Sequence, residues 1–374
     1  MFLEKFNVSY PNEPRVFAVY TTWCVSRCNF YETLEALEST GEARVLGSLG
    51  DRLVFLAARS LEGIVERLYS VACVEELYFV LGEARLGERP LLEGDMLSRV
   101  SHLLLHATTF NVKILDCEKM LGVEEKAKLR EDFSKILKEL REGLRASRTG
   151  PDLEFVVIVL SRDRALLSLT VKRYRKDRFA FRSPERRAYS QPSALTPWLS
   201  LTILNLALAT QPAGGEGGFD VAFLDPFCGT GGVLIEAALQ GMYSVGVDVN
   251  YRQVRGSKKN LSVLGLRAVA DLVLCDSTKL PFRAEAFNAA AFDPPYGRLA
   301  PTHGRDPGEI LRGALRNVVE SVKPRGRIAF FASDMLLQNV DAPALCDVYE
   351  HSSLTRHVIV VRRTNHAAGG PAGT

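Results

Sequence analysis

Four apolar runs in the second half of the chain each end in an aspartate, and this repetition limits the possible folds more than any other feature. Residues 221–225 read Val-Ala-Phe-Leu-Asp and end at Asp225. Residues 244–249 carry Asp248 near their end, residues 268–275 are followed by Asp276, and residues 287–292 are followed by Asp293. Short apolar runs of this kind predict strands buried on both faces, as in a parallel sheet covered by helices. The first run continues into Pro226-Phe227-Cys228-Gly229-Thr230-Gly231-Gly232 and then an apolar stretch, residues 233–239. A strand, a glycine-rich turn and a helix form the nucleotide-binding corner of a doubly wound α/β sheet.

The turn lacks the G-x-G-x-x-G pattern of dinucleotide sites and has a carboxylate at the strand end instead. Asp225 is poorly suited to a pyrophosphate and well suited to the ammonium of a methionine moiety. Glycines in the turn let the backbone approach a ligand closely. About twenty residues on, Asp248 is placed to take both hydroxyls of a ribose. Asp276 comes within reach of an adenine amino group. The series predicts S-adenosylmethionine as cofactor, held by Asp225, Phe227, Gly229, Thr230, Gly231, Asp248, Val249, Asp276, Ser277 and Asp293.

The fourth run stops at Asp293-Pro294-Pro295-Tyr296-Gly297, where two prolines forbid further ladder hydrogen bonds. The break sets a carboxylate, a stiff carbonyl and an aromatic ring side by side. An exocyclic amine of a nucleobase is a poor nucleophile, because its lone pair is delocalised into the ring. Two acceptors, the Asp293 carboxylate and the Pro294 carbonyl, would bind its two N–H groups and return the lone pair to nitrogen. Tyr296 would stack on a base taken out of its helix. Asp293, Pro294 and Tyr296 are therefore the candidate catalytic residues. Nothing in these five residues separates a guanine amine from an adenine amine. Arg298, His303 and Arg305 follow in a loop placed to close over a nucleotide.

The N-terminal half reads as α+β. Strand signals at residues 15–22, 44–49, 52–57 and 74–81 alternate with helical patterns at 31–39 and 60–70, the β-α-β-β-α-β order of a ferredoxin-like unit. A second unit has helical patterns at 94–106 and 124–145 and strand patterns at 110–115, 154–160 and 165–171. The expected boundaries are 1–82, 83–171, a basic linker 172–192, a catalytic domain 193–366 and a flexible tail 367–374. That catalytic domain is expected to hold a seven-stranded, mostly parallel sheet.

The linker concentrates charge. Residues 172–187 carry Lys172, Arg173, Arg175, Lys176, Arg178, Arg182, Arg186 and Arg187 against Asp177 and Glu185, a local net charge of +6 in a chain whose total is +3. Tyr174, Phe179 and Phe181 lie among them. Basic residues neutralise phosphates and aromatics stack on unpaired bases, so all eight are candidate RNA-binding residues. Other classes find less support. No apolar run is long enough to cross a bilayer and no secretory leader pattern opens the chain, so a cytoplasmic protein without membrane contact is expected. The seven cysteines are scattered and read as reduced. No metal site is expected: Cys24 and Cys28 have no second pair, and His102 and His106 have no third ligand.

The stretch 225–232 with Ile235-Glu236-Ala237 resembles the cofactor loop of the THUMP-domain RNA methyltransferases. Within that group, residues 293–298 and the string His351-Ser-Ser-Leu-Thr-Arg356 resemble the archaeal tRNA guanine-10 N2-methyltransferases. Residues 182–192 are similar to the Arg- and Pro-rich entry of that family, with Ala188 and Ser200 departing from its usual proline and basic residue. The resemblance implies a class I Rossmann-like methyltransferase domain behind a ferredoxin-like and a THUMP unit. It further implies S-adenosylmethionine as cofactor, tRNA as partner and the N2 amine of guanine 10 as target, with one or two methyl groups added. It also implies a monomer, or a chain working with a small activating protein subunit. On the residues alone, two alternatives stay open: an N6-adenine methyltransferase, and an RNA-binding protein with a degenerate catalytic domain.

Overall fold

The computed structural model describes residues 15–21, 43–50, 52–58, 61–69, 71–87, 90, 92, 95–174, 176–208, 222–297, 304–351 and 354–364. They divide into two units. The first takes the described residues up to Tyr174 except 71–73, which group with the residues from Lys176 onward in the second.

The first unit is built on one eight-stranded sheet. Its strands are β1 (Arg15–Thr21), β2 (Ala43–Leu49), β3 (Leu53–Ala58), β4 (Val74–Arg85), β5 (Thr109–Leu115), β6 (Arg145–Ala146), β7 (Leu153–Val159) and β8 (Arg164–Arg173). The spatial order is β2-β3-β1-β4-β8-β7-β5-β6. β4 runs on to Arg85, further than its apolar pattern indicates, and pairs with β1 on one side and β8 on the other. It thereby joins into one sheet the strands expected in two successive pieces. Helices Asp95–Leu104 and Val123–Leu140 pack Met96, Val100, Phe133 and Leu137 onto Phe110 and Phe155 of the sheet. The second of these ends at Leu140 rather than 145, because Arg145 and Ala146 pair with β5. The helix expected at 31–39 lies outside the described residues.

The second unit is an α/β, Rossmann-like fold. Its strands are β9 (Ala222–Asp225), β10 (Tyr243–Asp248), β11 (Ala270–Leu274), β12 (Ala289–Phe292), β13 (Arg327–Ala332), β14 (Cys346–His351) and β15 (Leu354–Arg362). They lie in the order β11-β10-β9-β12-β13-β15-β14. The first five are mutually parallel, and β15 and β14 are antiparallel. β14 has no continuous apolar run, only the alternating Cys346 and Val348, and its pairing with β15 alone makes it an edge. β12 and β13 are buried at every residue, as parallel strands covered on both faces must be. The almost wholly buried helix Pro197–Leu208 covers one face, packing on β12, β13 and the helix Gly232–Leu239. On the other face, Phe292 and Phe330 stack with centroids 5.2 Å apart above Leu311 and Val318 of helix Pro307–Ser321.

The order reverses between β9 and β12, so the switch point of the sheet opens between those two strands. Ligands of open α/β sheets bind there, outside the carboxyl ends of the strands. No helix among the described residues is long and apolar enough to cross a membrane. Among the described cysteines Cys346 departs from the reduced reading, being disulfide-bonded, whereas Cys117, Cys228 and Cys275 are free. Spacing along a sequence does not report which cysteines meet in space.

Arg182 ties the segment ahead of the sheet to the helix Gly232–Leu239. It is 8% exposed, and its Nε and Nη2 donate to the two carboxylate oxygens of Glu236 at 2.6 and 2.8 Å. Burial raises the Glu236 carboxyl above its usual range, and Arg182 only partly offsets that. Removing one partner of a buried pair leaves the other charge stranded. Arg182→Ala is expected to lower unfolding stability by about 3–5 kcal/mol, measured by urea denaturation; a loss below about 1 kcal/mol would place the pair among weak surface bridges.

Candidate active site

The turn after β9 is shaped by its backbone. Gly231, which precedes the helix Gly232–Leu239, has φ +83°, and a Cβ there would lie 2.4 Å from Ser257 Oγ, so only glycine fits. The Cys228 N–H donates to the Val247 carbonyl at 2.8 Å, which docks the turn on β10. Asp248, at the end of β10, accepts the Gly229 N–H at 3.0 Å and the Asn250 N–H at 2.8 Å. The Ser277 hydroxyl donates to the Pro226 carbonyl, bringing the loop after β11 against the same turn.

Along the carboxyl edge of the sheet, the strand order therefore sets out Asp276, Asp248, Asp225 and Asp293 in succession. Asp225 is 2% exposed and accepts the Phe227 N–H at 3.1 Å. Burial drives its carboxyl well above the usual range; the Phe227 N–H opposes this, and the Asp248 and Asp293 charges add to it. Burial also raises Asp248, although two backbone N–H groups pull the other way. Asp276 differs. Burial pushes its carboxyl upward, but hydrogen bonds from Thr278 and Arg305 outweigh that and hold it below its usual value. Arg305 lies 3.0 Å from the Asp276 carboxylate. Val249 is half exposed at the same edge, and Phe227 packs tilted on Phe292 at 5.5 Å.

Across the switch point, β12 delivers Asp293 and the buried Pro294. The Tyr296 hydroxyl donates to Asp293 Oδ1, and Arg356 Nη2 lies 3.4 Å from Oδ2. Burial and the neighbouring carboxylate push the Tyr296 phenol well above its usual range, so it stays a donor. The Arg356 guanidinium stands 6.0 Å from the Tyr296 ring centre and 5.9 Å from that of Phe331. β15 puts it there. His357 faces Ala332, the last residue of β13, so Arg356 lies just beyond that strand at the carboxyl edge. Sequence reasoning assigned Arg356 no role, and the only signal for it was its place at the end of the string 351–356. Arg298 and His303 lie outside the described residues.

The basic linker is less uniform than its composition. Lys172 and Arg186 are exposed. Arg173 is exposed too but pairs with Glu154 and Glu76. Three arginines turn inward: Arg182 to Glu236, Arg178 to the Val71 and Ala72 carbonyls, and Arg187 to Thr230. Their guanidinium donors are engaged inside the second unit rather than displayed to a polynucleotide. Arg175 and the Lys176 side chain lie outside the described residues.

Known proteins resemble this arrangement. The family model "UPF0020: RMKL-like, methyltransferase domain" matches residues 184–342. A Methanothermobacter thermautotrophicus protein named tRNA (guanine(10)-N2)-dimethyltransferase is 30% identical over 265 residues, covering 68% of this chain and 73% of that one. The chain belongs to the archaeal tRNA guanine-10 N2-methyltransferase family. A second relative of that name, from Pyrococcus abyssi, is 31% identical over 227 residues, covering 59% of this chain and 65% of its own length. In fold, the structure is similar to TrmN from Thermus thermophilus, with a TM-score of 0.53 and 19% identity over 93% of this chain and 99% of that one. The aspartates that end β9 and β10, the aspartate after β11 and the Asp-Pro-Pro-Tyr break after β12 are thus set on a methyltransferase family's sheet.

Asp225 makes its own test. The folded state keeps it protonated to higher pH than the unfolded chain does. Its contribution to stability is therefore fully present below about pH 4 and is lost as pH rises through the folded-state value. Asp225→Asn removes that loss and keeps the acceptor for Phe227. At pH 7 and without ligand the variant is expected to melt about 2–4 °C higher than the parent, with the difference vanishing near pH 3. A variant that melts lower at pH 7 would contradict the buried-charge reading.

Proposed function

We propose that the second unit binds S-adenosylmethionine and transfers its methyl group to the N2 amine of guanine 10 in tRNA. The observation that carries this reading is the meeting of Asp293 and Pro294 with the buried Asp225 across the switch point. When bound, S-adenosylmethionine supplies a methyl group already activated on a sulfonium, so no covalent enzyme intermediate is needed. The residues fit that group. Asp225 is a buried carboxylate beside two others, an environment that favours a cationic ammonium. Asp248 uses one lone pair on each oxygen for a backbone N–H and keeps a second for ribose hydroxyls. Asp276 and Ser277, with Phe227 and Val249 beside them, offer the adenine both a polar and an apolar edge.

Asp293 and Pro294 then act on the amine. Each accepts one N–H, which localises the lone pair on nitrogen, and Asp293 takes up the proton lost on transfer. Tyr296 fixes the carboxylate through its hydroxyl while its ring offers a stacking surface to the flipped base. After one transfer N2 still has an N–H, which a single acceptor holds for a second round. The relatives named dimethyltransferases support two rounds. Cys228 has no part as a nucleophile: burial, reinforced by Asp225 and Asp248, holds its thiol protonated. Lys172 and Arg186 remain exposed for phosphate contacts.

Labelled methyl transfer to unmodified tRNA, followed by nucleoside analysis, checks the reading, with N2-methylguanosine or N2,N2-dimethylguanosine expected. Asp293→Ala is expected to lower kcat by about 10²–10⁴ and to leave tRNA affinity within about twofold. Label on adenine, transfer only to DNA, or an Asp293→Ala variant of near-normal activity would each defeat it.

A further inference from the structure

The opening segment of the second unit, ahead of its sheet, is bonded into the cofactor turn. Arg187 spreads its three kinds of guanidinium nitrogen over three acceptors. Nη1 donates to Thr230 Oγ1 at 3.1 Å, Nη2 to the Leu195 carbonyl at 3.1 Å and Nε to the Arg182 carbonyl at 3.0 Å. Thr230 is itself 5% exposed. Its carbonyl accepts the Asn260 side-chain amide at 2.9 Å. Asn260, 2% exposed on the helix Tyr251–Val263, also exchanges two hydrogen bonds with the backbone of Tyr189, each 2.8 Å. The Tyr189 ring lies where a side chain on Gly256 would be: a Cβ there would come within 2.0 Å of it. Eight residues of linker, from Arg182 to Tyr189, thus reach the turn by two routes, one through the Thr230 side chain and one through its carbonyl.

We infer that Arg187 and Asn260 are positioning residues that preorganise the cofactor turn, so that cofactor affinity depends on a segment outside the sheet. The inference rests on the S-adenosylmethionine reading above. A turn rich in glycine has much conformational freedom to lose on binding and few side chains with which to hold itself. Fixing it beforehand removes that cost from the binding step. A planar guanidinium with several fixed donors suits the task, since it bridges the Arg182 and Leu195 carbonyls and a turn hydroxyl at once; a lysine ammonium has neither the span nor the directions. The Arg182–Glu236 pair, one helical turn further on, anchors the same linker to the helix that the turn begins.

The test compares the full-length protein with its Arg187→Ala, Arg187→Lys and Thr230→Val variants. Calorimetric titration with S-adenosylmethionine is expected to give a Kd raised roughly tenfold in all three, with lysine failing to rescue. The affinity for tRNA is expected to stay within twofold, and KM to rise for S-adenosylmethionine but not for tRNA. Amide exchange at residues 228–232, measured without ligand, is expected to speed up in each variant while the strands keep their protection. If Arg187→Ala does not fold, Thr230→Val carries the comparison, because it removes only the hydroxyl. Folded variants that bind S-adenosylmethionine as the parent does would overturn the inference. A parent that does not bind S-adenosylmethionine overturns the cofactor reading instead; ligand-free exchange at 228–232 then decides on the clamp, and unchanged exchange would overturn it.

Discussion

Three carboxylates converge at the switch point of the sheet, and one of them, Asp225, is almost completely removed from water. Burying a carboxylate beside others of the same charge is costly unless a cation arrives or a proton stays. Backbone N–H groups soften the cost at Asp225 and Asp248, and Arg356 stands at Asp293. The turn, the short loops and the packing under β12 keep the carboxylates in place against that cost. A ligand carrying both an ammonium and a sulfonium answers it directly, which is why the proposed cofactor and the proposed chemistry belong to one electrostatic design.

The Asp-Pro-Pro-Tyr break, the candidate catalytic element, depends on the strands beneath it. β12 is three alanines and a phenylalanine, all buried, and the small side chains let the helix Pro197–Leu208 close on one face while Phe292 stacks on Phe330 at the other. Asp293 is thereby delivered at the end of a rigid strand, and two prolines stop the ladder there. Tyr296 and Arg356 then hold its two oxygens from different elements, one from the break itself and one from β15. Arg356 keeps a charged partner near the carboxylate, which favours its ionised, accepting form.

Much of the second unit can be read from the residues. Parallel strands buried on both faces print apolar runs into the sequence, and the aspartates that end them print the site. β14 prints only a short alternation, buried Cys346 and Val348 against exposed Asp347 and Tyr349, because a strand paired on one side alone does not need a run of apolar residues. The linker arginines show the opposite failure. Their local net charge suggests one continuous phosphate-binding surface, yet Arg182 is buried against Glu236 and the partly buried Arg187 donates to Thr230. Charge along a chain does not reveal which cations meet a buried partner 54 or 43 residues away. Arg356 was out of reach for the same reason: only the antiparallel register of β15 carries it to Asp293.

In the proposed mechanism Asp293 and Pro294 grip the exocyclic amine of one guanine. A tRNA transcript carrying inosine in place of guanine 10 removes that amine alone and leaves the rest of the nucleoside in place. Full binding of this transcript is expected, with no methyl transfer to it under conditions where the guanine transcript is modified to completion. Transfer to the inosine transcript at a comparable rate would contradict a grip on the N2 amine by Asp293 and Pro294.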